Sequence, residues 1–193
     1  MARRLGVGLL VAVLLLLGAW IAALKLLPDA PASVSVSAPE ARPVADAGRA
    51  GPLAMPVAGL PREAVRESWG DPRENGLREH HGTDIPAPLG TPVVAAAPGV
   101  VEKLWNSAAG GTTVYVRSPK KDWIYYYAHL SGYAPGLRER QVVKTGDPIG
   151  FVGDTGNAGA GNYHLHFGLT RTTPDQHWYE GRDVDPYPYL VGS

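Results

Sequence analysis

The run Trp-Ile-Tyr-Tyr-Tyr-Ala-His-Leu, at positions 123–130, decides the fold class. Aromatic and β-branched residues favour strands, and the alternation of side chains along a strand would place Tyr125, Tyr127 and His129 on one face. Glycine or proline separates this stretch from other runs of the same type, at 93–96, 100–105, 112–117, 149–152 and 164–170. The pattern predicts an all-β domain of many strands.

Two other patterns refine this prediction. Residues 60–69 place a proline near a first turn with helix-forming residues behind it, and the Gly-Asp-Pro at 70–72 ends the run, so one short helix is predicted. Residues 90–93 (Gly-Thr-Pro-Val) and 146–149 (Gly-Asp-Pro-Ile) share a Gly-x-Pro-aliphatic opening. Each of these two phrases predicts a turn that leads into a strand.

The composition limits the partners and the metal ligands. The 193 residues contain 18 Lys plus Arg and 18 Asp plus Glu, so there is no basic surplus of the kind that neutralises a phosphate backbone. We therefore expect no nucleic-acid partner. The chain has no cysteine, which removes disulfides, thiolate metal sites and a cysteine nucleophile, and leaves His, Asp and Glu as candidate metal ligands.

His80 and Asp84 form a first pair of candidate ligands. Gly82 between them and Pro86 behind them disfavour a helix, so an extended segment is predicted. In an ideal strand, residues four apart are roughly 13 Å distant, too far to hold one ion. The backbone would have to bend, and Gly82 permits it. Alone, this spacing is also compatible with a chance arrangement, and His81, which is out of step with Asp84, is predicted to be solvated.

His164 and His166 form a second pair. Strand geometry would point both imidazoles to one face, roughly 6.6 Å apart, while Leu165 faces the core. One imidazole could bind a metal while the other acts on a substrate, or both could belong to an exposed polar face. His129, at the end of the aromatic run, is a third element. A catalytic zinc site commonly has three protein ligands and one open position, so the three segments supply enough candidates.

Together these segments resemble the lysostaphin/LytM family of zinc endopeptidases in content and in order. The matching phrases are His-x3-Asp at 80–84, Gly-Thr-Pro-Val at 90–93, Tyr-Ala-His-Leu-Ser at 127–131, a glycine-rich turn at 153–161 and His-Leu-His-Phe at 164–167. The resemblance begins near residue 58 and continues to the end of the chain. Asn162-Tyr163 departs from the family pattern, in a position that affects loop shape and substrate preference rather than the ligands.

The resemblance implies roles for five residues. His80, Asp84 and His166 would bind one zinc ion, while His129 and His164 would flank its open position, activate the water and stabilise the tetrahedral oxyanion. The implied reaction is hydrolysis of peptide bonds in the stems or cross-bridges of peptidoglycan. The helical His-Glu-x-x-His zinc signature is missing from the sequence, so histidine is the natural proton acceptor.

The resemblance also implies the architecture: a mainly β fold, with an antiparallel sheet or flattened barrel-sandwich of the duplicated hybrid motif type and the metal on the floor of a groove. The glycine-rich residues 153–161 lack the Lys-Ser/Thr of a phosphate-binding loop and are predicted to be a flexible loop at the rim of the cleft. His177 is predicted to lie on the surface, and Asp183 and Asp185 to form turns.

The N-terminus predicts a membrane anchor at residues 1–27. Arg3 and Arg4 precede an uncharged run at 5–24, which as a helix of about 1.5 Å per residue would span a bilayer core of roughly 30 Å. The positive end should stay in the cytoplasm, so the rest of the chain would lie on the periplasmic or extracellular side of the cytoplasmic membrane. A cleaved signal peptide is the alternative, but its apolar stretch is shorter, and Ala-Pro-Ala at 30–32 is a poor cleavage site.

Two further segments follow the anchor. Residues 28–57 are rich in Pro, Ala, Ser and Val and lack helical periodicity, so they predict a tether that could hold a domain away from the membrane. Residues 58–193 would form the zinc metallopeptidase domain. The alternative function is a non-catalytic one, as a wall-binding module or an activator of a wall amidase. Relatives that act as activators have lost metal ligands, whereas this chain has all three candidate ligands and both flanking histidines.

Overall fold

The computed structural model describes residues 53–73 and 76–192. In this part of the chain the strands are β1 (Pro72–Arg73), β2 (Arg78–Glu79), β3 (Thr83–Pro86), β4 (Pro92–Val94), β5 (Gly99–Ser107), β6 (Gly111–Arg117), β7 (Trp123–Tyr133), β8 (Val142–Val143), β9 (Pro148–Val152), β10 (His164–Arg171) and β11 (Arg182–Val184). The helical elements are a 3-10 turn, Arg62–Ala64, and a short helix α1, Tyr187–Val191.

Strand β7, which contains the aromatic run, is the centre of the main sheet. It pairs with β6, β10 and β9, and every pairing in the described residues is antiparallel. The order along the sheet is β11-β10-β7-β6-β5-β8, with β3 added against β10 and β4 against β9; β1 and β2 form a separate two-stranded sheet. The prediction of a mainly β, antiparallel fold is confirmed.

The core lies on one face of β7 and β10. Tyr127 and Phe167 are fully buried there, with ring centroids 5.3 Å apart, and the Tyr127 hydroxyl accepts a hydrogen bond from the Ala96 amide. Leu165 and Leu169 flank Phe167 on the same face, as the period of two along a strand requires. The opposite face of these strands is therefore available for a cleft.

The two Gly-x-Pro-aliphatic phrases open neighbouring strands. Gly90 and Gly146 both have a positive φ, 80° and 87°, which suits the turns that precede β4 and β9. The two strands then pair, with Val93 opposite Gly150. Two similar pieces of sequence thus form two similar pieces of structure that lie side by side.

The predicted helix at 60–69 is wrong, because only the 3-10 turn Arg62–Ala64 forms there. After the turn, Val65 returns to extended backbone and lies buried in the core. The Arg62 guanidinium is also buried and donates a hydrogen bond to the Leu190 carbonyl of α1. These tertiary contacts outweigh the helix propensity of the local sequence.

Residues 53–57, which fall in the predicted tether, belong to the packed structure. Leu53 and Val57 are buried in the core, and Val57 forms an isolated bridge with Val93. Ala54 N–H donates to the Ala96 carbonyl at 2.8 Å, and Val94 N–H donates to the Pro56 carbonyl at 2.8 Å. The packed domain therefore includes at least five residues before the predicted boundary at 58.

The predicted anchor at residues 1–27 and the rest of the predicted tether, 28–52, lie outside the described residues. Among residues 53–73 and 76–192, no helix is both long and apolar enough to cross a membrane.

Substitution of the early core residues tests where the packed domain begins. Leu53→Ala and Val57→Ala should each lower the free energy of unfolding by roughly 2 kcal/mol, because each leaves a cavity in a close-packed core. Val142→Ala, at a side chain that is 72% exposed, is the control and should change it by less than about 0.5 kcal/mol. Urea unfolding measures all three. If residues 53–57 were a tether, the first two variants would match the control.

Candidate metal centre

Three side chains, His80, Asp84 and His166, converge on the cleft face of the sheet. His80 Nε2 lies 2.9 Å from His166 Nδ1 and 3.0 Å from Asp84 Oδ1. The third side of this triangle, from His166 Nδ1 to Asp84 Oδ1, is 3.0 Å. A tetrahedral zinc ion at about 2.0–2.1 Å from its ligands separates them by roughly 3.3 Å. Among residues 53–73 and 76–192, these three offer donor atoms close enough together to hold one ion.

Strand pairing brings the three side chains together. In the antiparallel pair of β3 and β10, Asp84 lies directly opposite His166. His80 precedes β3, and the chain bends at Gly82 before the strand begins. The predicted bend between His80 and Asp84 is therefore present.

The reason for a glycine at this bend differs from the predicted one. Gly82 does not have a positive φ, so conformational freedom is not what position 82 requires. A Cβ atom there would lie 2.5 Å from His166 Cε1 and 2.9 Å from the Phe167 carbonyl oxygen. Glycine is needed because β10 passes so close that there is no room for a side chain.

Ser68 orients two of the candidate ligands. Its carbonyl lies 2.6 Å from His80 Nδ1, and because a carbonyl can only accept, Nδ1 carries the proton and Nε2 presents a lone pair. The Ser68 hydroxyl accepts a hydrogen bond from the Asp84 amide at 3.1 Å. In this tautomer His80 Nε2 and Asp84 Oδ1 are both acceptors that face one another, an arrangement that a cation between them would satisfy.

Arg73 holds the other oxygen of the same carboxylate. Its Nη2 lies 2.6 Å from Asp84 Oδ2, which leaves Oδ1 facing the two histidines. Burial would raise the pKa of Asp84, but the neighbouring imidazoles of His166 and His80 outweigh burial and hold the pKa well below its usual range. Sequence reasoning missed Ser68 and Arg73, because their segment was interpreted as a helix and its end.

His129 and His164 lie beside the triangle, and each has a fixed tautomer. His129 Nδ1 is 2.8 Å from the Thr155 carbonyl, and His164 Nδ1 is 2.8 Å from the Asn162 carbonyl. Both Nδ1 atoms are therefore donors, which leaves Nε2 as the acceptor in the neutral ring. His164 Nε2 is 3.7 Å from Asp84 Oδ1, so this acceptor faces the candidate metal ligands.

Burial favours the neutral form of two imidazoles of the cleft, His129 and His166. It lowers the pKa of His129 to about 4, although the hydrogen bond to the Thr155 carbonyl opposes this change, and positive charge on His164 or His166 would lower it further. Burial likewise lowers the pKa of His166. At neutral pH the His129 ring is thus uncharged and can accept a proton.

The prediction that Tyr125, Tyr127 and His129 share a face is wrong for His129. Tyr127 and Leu130 are fully buried in the core, whereas His129 lines the cleft. His129 has φ of 60°, a left-handed conformation that non-glycine residues rarely adopt, and its amide donates to the Gly110 carbonyl at 2.8 Å. This local reversal breaks the alternation of β7 and turns the imidazole towards His164.

The cleft has a volume of about 500 Å³. It opens between the donor atoms of His80, Asp84 and His166, here named the metal triangle, and the glycine-rich loop at 153–161. Asn157 and Ala158 of this loop form part of its wall, together with Asn162 directly after it, so the loop lies at the rim as predicted. Thr155 anchors the loop: its hydroxyl donates to the Leu130 carbonyl at 2.8 Å and accepts from the Thr112 amide at 3.0 Å. The same residue thus positions His129 and fixes the rim.

Other polar residues singled out in the sequence lie outside the cleft. His81 stacks on Trp69, with centroids 5.2 Å apart, and contacts Asp183 Oδ2 at 3.2 Å. His177 is exposed, as predicted. Asp185 accepts a hydrogen bond from the Tyr187 amide at the start of α1, which fits its predicted role in a turn.

Comparison with known proteins shows the family. Residues 78–186 match the family model described as Peptidase family M23. The chain belongs to peptidase family M23. It is 40% identical over 134 residues to the L-Ala–D-Glu endopeptidase of Bacillus subtilis (strain 168), a match that covers 66% of this chain and 39% of that protein. The chain thus spans less than half the length of this M23 relative.

Solved structures agree on the M23 fold. The catalytic domain of lysostaphin from Staphylococcus simulans has a TM-score of 0.55 and 27% identity, over 65% of this chain and 90% of that one. A lytM protein from Ruminococcus gnavus has a TM-score of 0.56 and 31% identity, over 75% of this chain and 59% of that one. The predicted resemblance to the lysostaphin/LytM family is confirmed.

Gly82→Ala tests the close approach of β3 and β10 in this M23 domain. A methyl group at position 82 would meet the His166 ring and should weaken metal binding, tested with Zn²⁺ as the probe ion, by roughly 10- to 100-fold, as displacement of an oriented ligand does at other metal sites. Competition with a chromophoric chelator measures the affinity. Gly132→Ala is the matched control, because a Cβ there has open space and no unfavourable φ. Equal zinc affinity in the two variants would contradict the proposed contact.

Proposed function

We propose that this chain is a zinc-dependent endopeptidase that hydrolyses peptide bonds in the stems or cross-bridges of peptidoglycan. The observation that carries the proposal is the triangle of His80, Asp84 and His166 donors with two oriented histidines, His129 and His164, beside it. Metal-assisted hydrolysis of a peptide bond uses both parts, a metal site and proton acceptors next to it.

The donor set favours zinc and one ion. Two imidazole nitrogens and one carboxylate oxygen suit Zn²⁺, and three protein ligands leave a fourth position for water or substrate. A zinc ion bound there would supply Lewis-acid chemistry, since it lowers the pKa of water and polarises a carbonyl. His80 would bind through Nε2, Asp84 through Oδ1 and His166 through Nδ1, the three atoms that face one another.

The remaining chemistry falls to His129 and His164. Each presents Nε2 as an acceptor, because Nδ1 is held by a backbone carbonyl. One ring can take a proton from the attacking water, and the other, once protonated, can stabilise negative charge on the substrate oxygen. Their ring centroids are 4.9 Å apart, so both can act on one scissile bond.

Relatives support peptidoglycan as the substrate. One relative is named L-Ala–D-Glu endopeptidase and another, from Vibrio cholerae, is named Peptidoglycan DD-endopeptidase ShyC. Because these names specify different bonds, they support the substrate class rather than one bond. A non-catalytic role as a wall-binding module or amidase activator is less favoured, since all five residues that the reaction needs are present in one cleft.

Two substitutions separate catalysis from metal binding. The full chain should contain one zinc per molecule and release new amino groups from peptidoglycan, and a chelator should abolish the release. His164→Ala should keep the zinc but lose roughly 10²- to 10⁴-fold in rate, because it removes a proton acceptor. His166→Ala should lose both zinc and activity. Metal analysis and an amino-group assay measure these outcomes.

The exposed His177 supplies a matched control, and His177→Ala should retain zinc and activity. If the wild-type chain bound zinc but released no amino groups from any peptidoglycan, the endopeptidase proposal would fail in favour of a binding module. If His164→Ala and His166→Ala both behaved like His177→Ala, the site would be wrong.

We also propose that residues 1–27 anchor the chain in the cytoplasmic membrane, with the peptidase domain on the periplasmic or extracellular side. The basic start and the apolar run at 5–24 support this location. The full chain should sediment with membranes and resist extraction by high salt, whereas a chain that begins at residue 28 and carries a cleavable export signal should be released. If expression of the full chain instead gave a soluble product that is shortened at its N-terminus, the N-terminal segment would be a cleaved signal peptide.

A further inference from the structure

A second cluster of aromatic side chains lies beyond the metal cleft. We name Trp105, Tyr115, Trp178 and Tyr179 the aromatic platform. The Trp178 ring is its hub, with centroids 4.5 Å from Tyr115, 5.8 Å from Trp105 and 5.1 Å from Tyr179. Trp105 is 46% exposed and Tyr179 is 65% exposed, so large apolar surfaces face solvent here. An exposed aromatic cluster of this kind is typical of a binding surface.

The aromatic platform is continuous with the floor of the cleft. Tyr126 lines the cleft, and its ring centroid lies 5.8 Å from that of His166. On its other side, Tyr126 is 4.6 Å from Tyr115, its direct partner across β7 and β6. A chain of ring contacts therefore runs over one face of the sheet, from a candidate metal ligand to the exposed Trp105.

A buried arginine, Arg117, holds the segment that carries Trp178 in place. Trp178 lies on the connection between β10 and β11, and Arg117 fastens that connection by donating to the Thr173 carbonyl at 3.2 Å and the Gln176 carbonyl at 2.9 Å. Arg117 is itself buried and forms an ion pair with Glu102. The position of Trp178 is thus built into the fold.

The charge around the platform favours a neutral ligand. Lys103, whose Nζ lies 5.9 Å from the Trp105 ring, is paired with Glu139 at 2.8 Å. Arg117, which holds the connection that carries Trp178, is paired with Glu102. Neither cation is left to attract a carboxylate, whereas flat aromatic faces suit the C–H face of a sugar ring. From this we propose that the aromatic platform binds a neutral N-acetylated sugar unit of the glycan strand.

The sugar subsite rests on the proposed function, and the distance between the platform and the candidate metal ligands is consistent with it. Trp105 on β5 is three strands away from His166 on β10, through β6 and β7, which is roughly 14 Å at ~4.8 Å per strand. An extended peptide of about four residues covers that distance. A peptide whose scissile bond lies at the metal triangle could therefore reach a sugar on the platform.

Direct binding is tested with N-acetylchitotetraose, a neutral oligomer of an N-acetylated sugar, and ligand-observed NMR on the full chain. The wild type should bind it, and Trp105→Leu and Trp178→Leu should each weaken binding by roughly tenfold, because leucine is apolar but has no aromatic face. Trp105→Phe should retain most of the affinity. Val142→Ala, an exposed apolar position away from the platform, is the control and should bind like wild type.

Kinetics supply a second and independent readout. For glycan-linked peptidoglycan fragments, Trp105→Leu should raise KM roughly tenfold and leave kcat unchanged, because the subsite only holds the substrate. For the same stem peptides freed of sugar, both parameters should equal those of wild type. A raised KM for the sugar-free peptides as well would overturn the proposal in favour of a peptide-binding role for the platform.

The two proposals fail in distinguishable ways. If the wild type hydrolysed no peptidoglycan but Trp105→Leu still lost affinity for N-acetylchitotetraose, the endopeptidase proposal would fail and the sugar site would stand. If the wild type hydrolysed peptidoglycan while N-acetylchitotetraose bound neither wild type nor Trp105→Phe, the sugar site would be overturned. Unchanged zinc content in each variant would show that the metal centre is intact.

Discussion

The close approach of β3 to β10 is the constraint on which the rest of the site depends. It places Asp84 opposite His166 and, through the bend at Gly82, brings His80 to the same point. The absence of a side chain at Gly82 makes the approach possible, since any Cβ would overlap the His166 ring. Ser68 and Arg73 then fix the orientation of the donors from the other side. A metal site of this kind depends on backbone packing as much as on its ligands.

A second constraint is the left-handed conformation of His129. Backbone in this region is unfavourable for a non-glycine residue, so the surroundings must hold it there. They do so through the Gly110 carbonyl and through Thr155, which fixes both the imidazole and the rim loop. The strain at position 129 thereby places an imidazole in the cleft without interrupting the core on either side of it.

The aromatic run at 123–130 places side chains on both faces of the same sheet. Tyr127 enters the core, while Tyr126 faces the cleft and meets Tyr115, so alternation along one strand separates stability from binding. If the aromatic platform binds sugar while the metal triangle binds the peptide, then a single face of the sheet binds both parts of a glycopeptide. The buried Arg117 that holds Trp178 gives this face a fixed geometry rather than an adaptable one.

The sequence by itself determined the strands and the candidate ligands, because period-two patterns and short histidine phrases are local signals: six predicted strands are present and His80, Asp84 and His166 meet as the resemblance implied. It could not reveal Ser68 and Arg73, whose contacts to the site exist only after β3 and its neighbours fold together. It misplaced the side chain of His129 because a single left-handed residue reverses the alternation. The predicted helix at 60–69 is wrong because Arg62 is held by a distant partner, the Leu190 carbonyl. Leu53 and Val57, in the predicted tether, are likewise packed into the core. Long-range packing, which no local pattern records, decided those features.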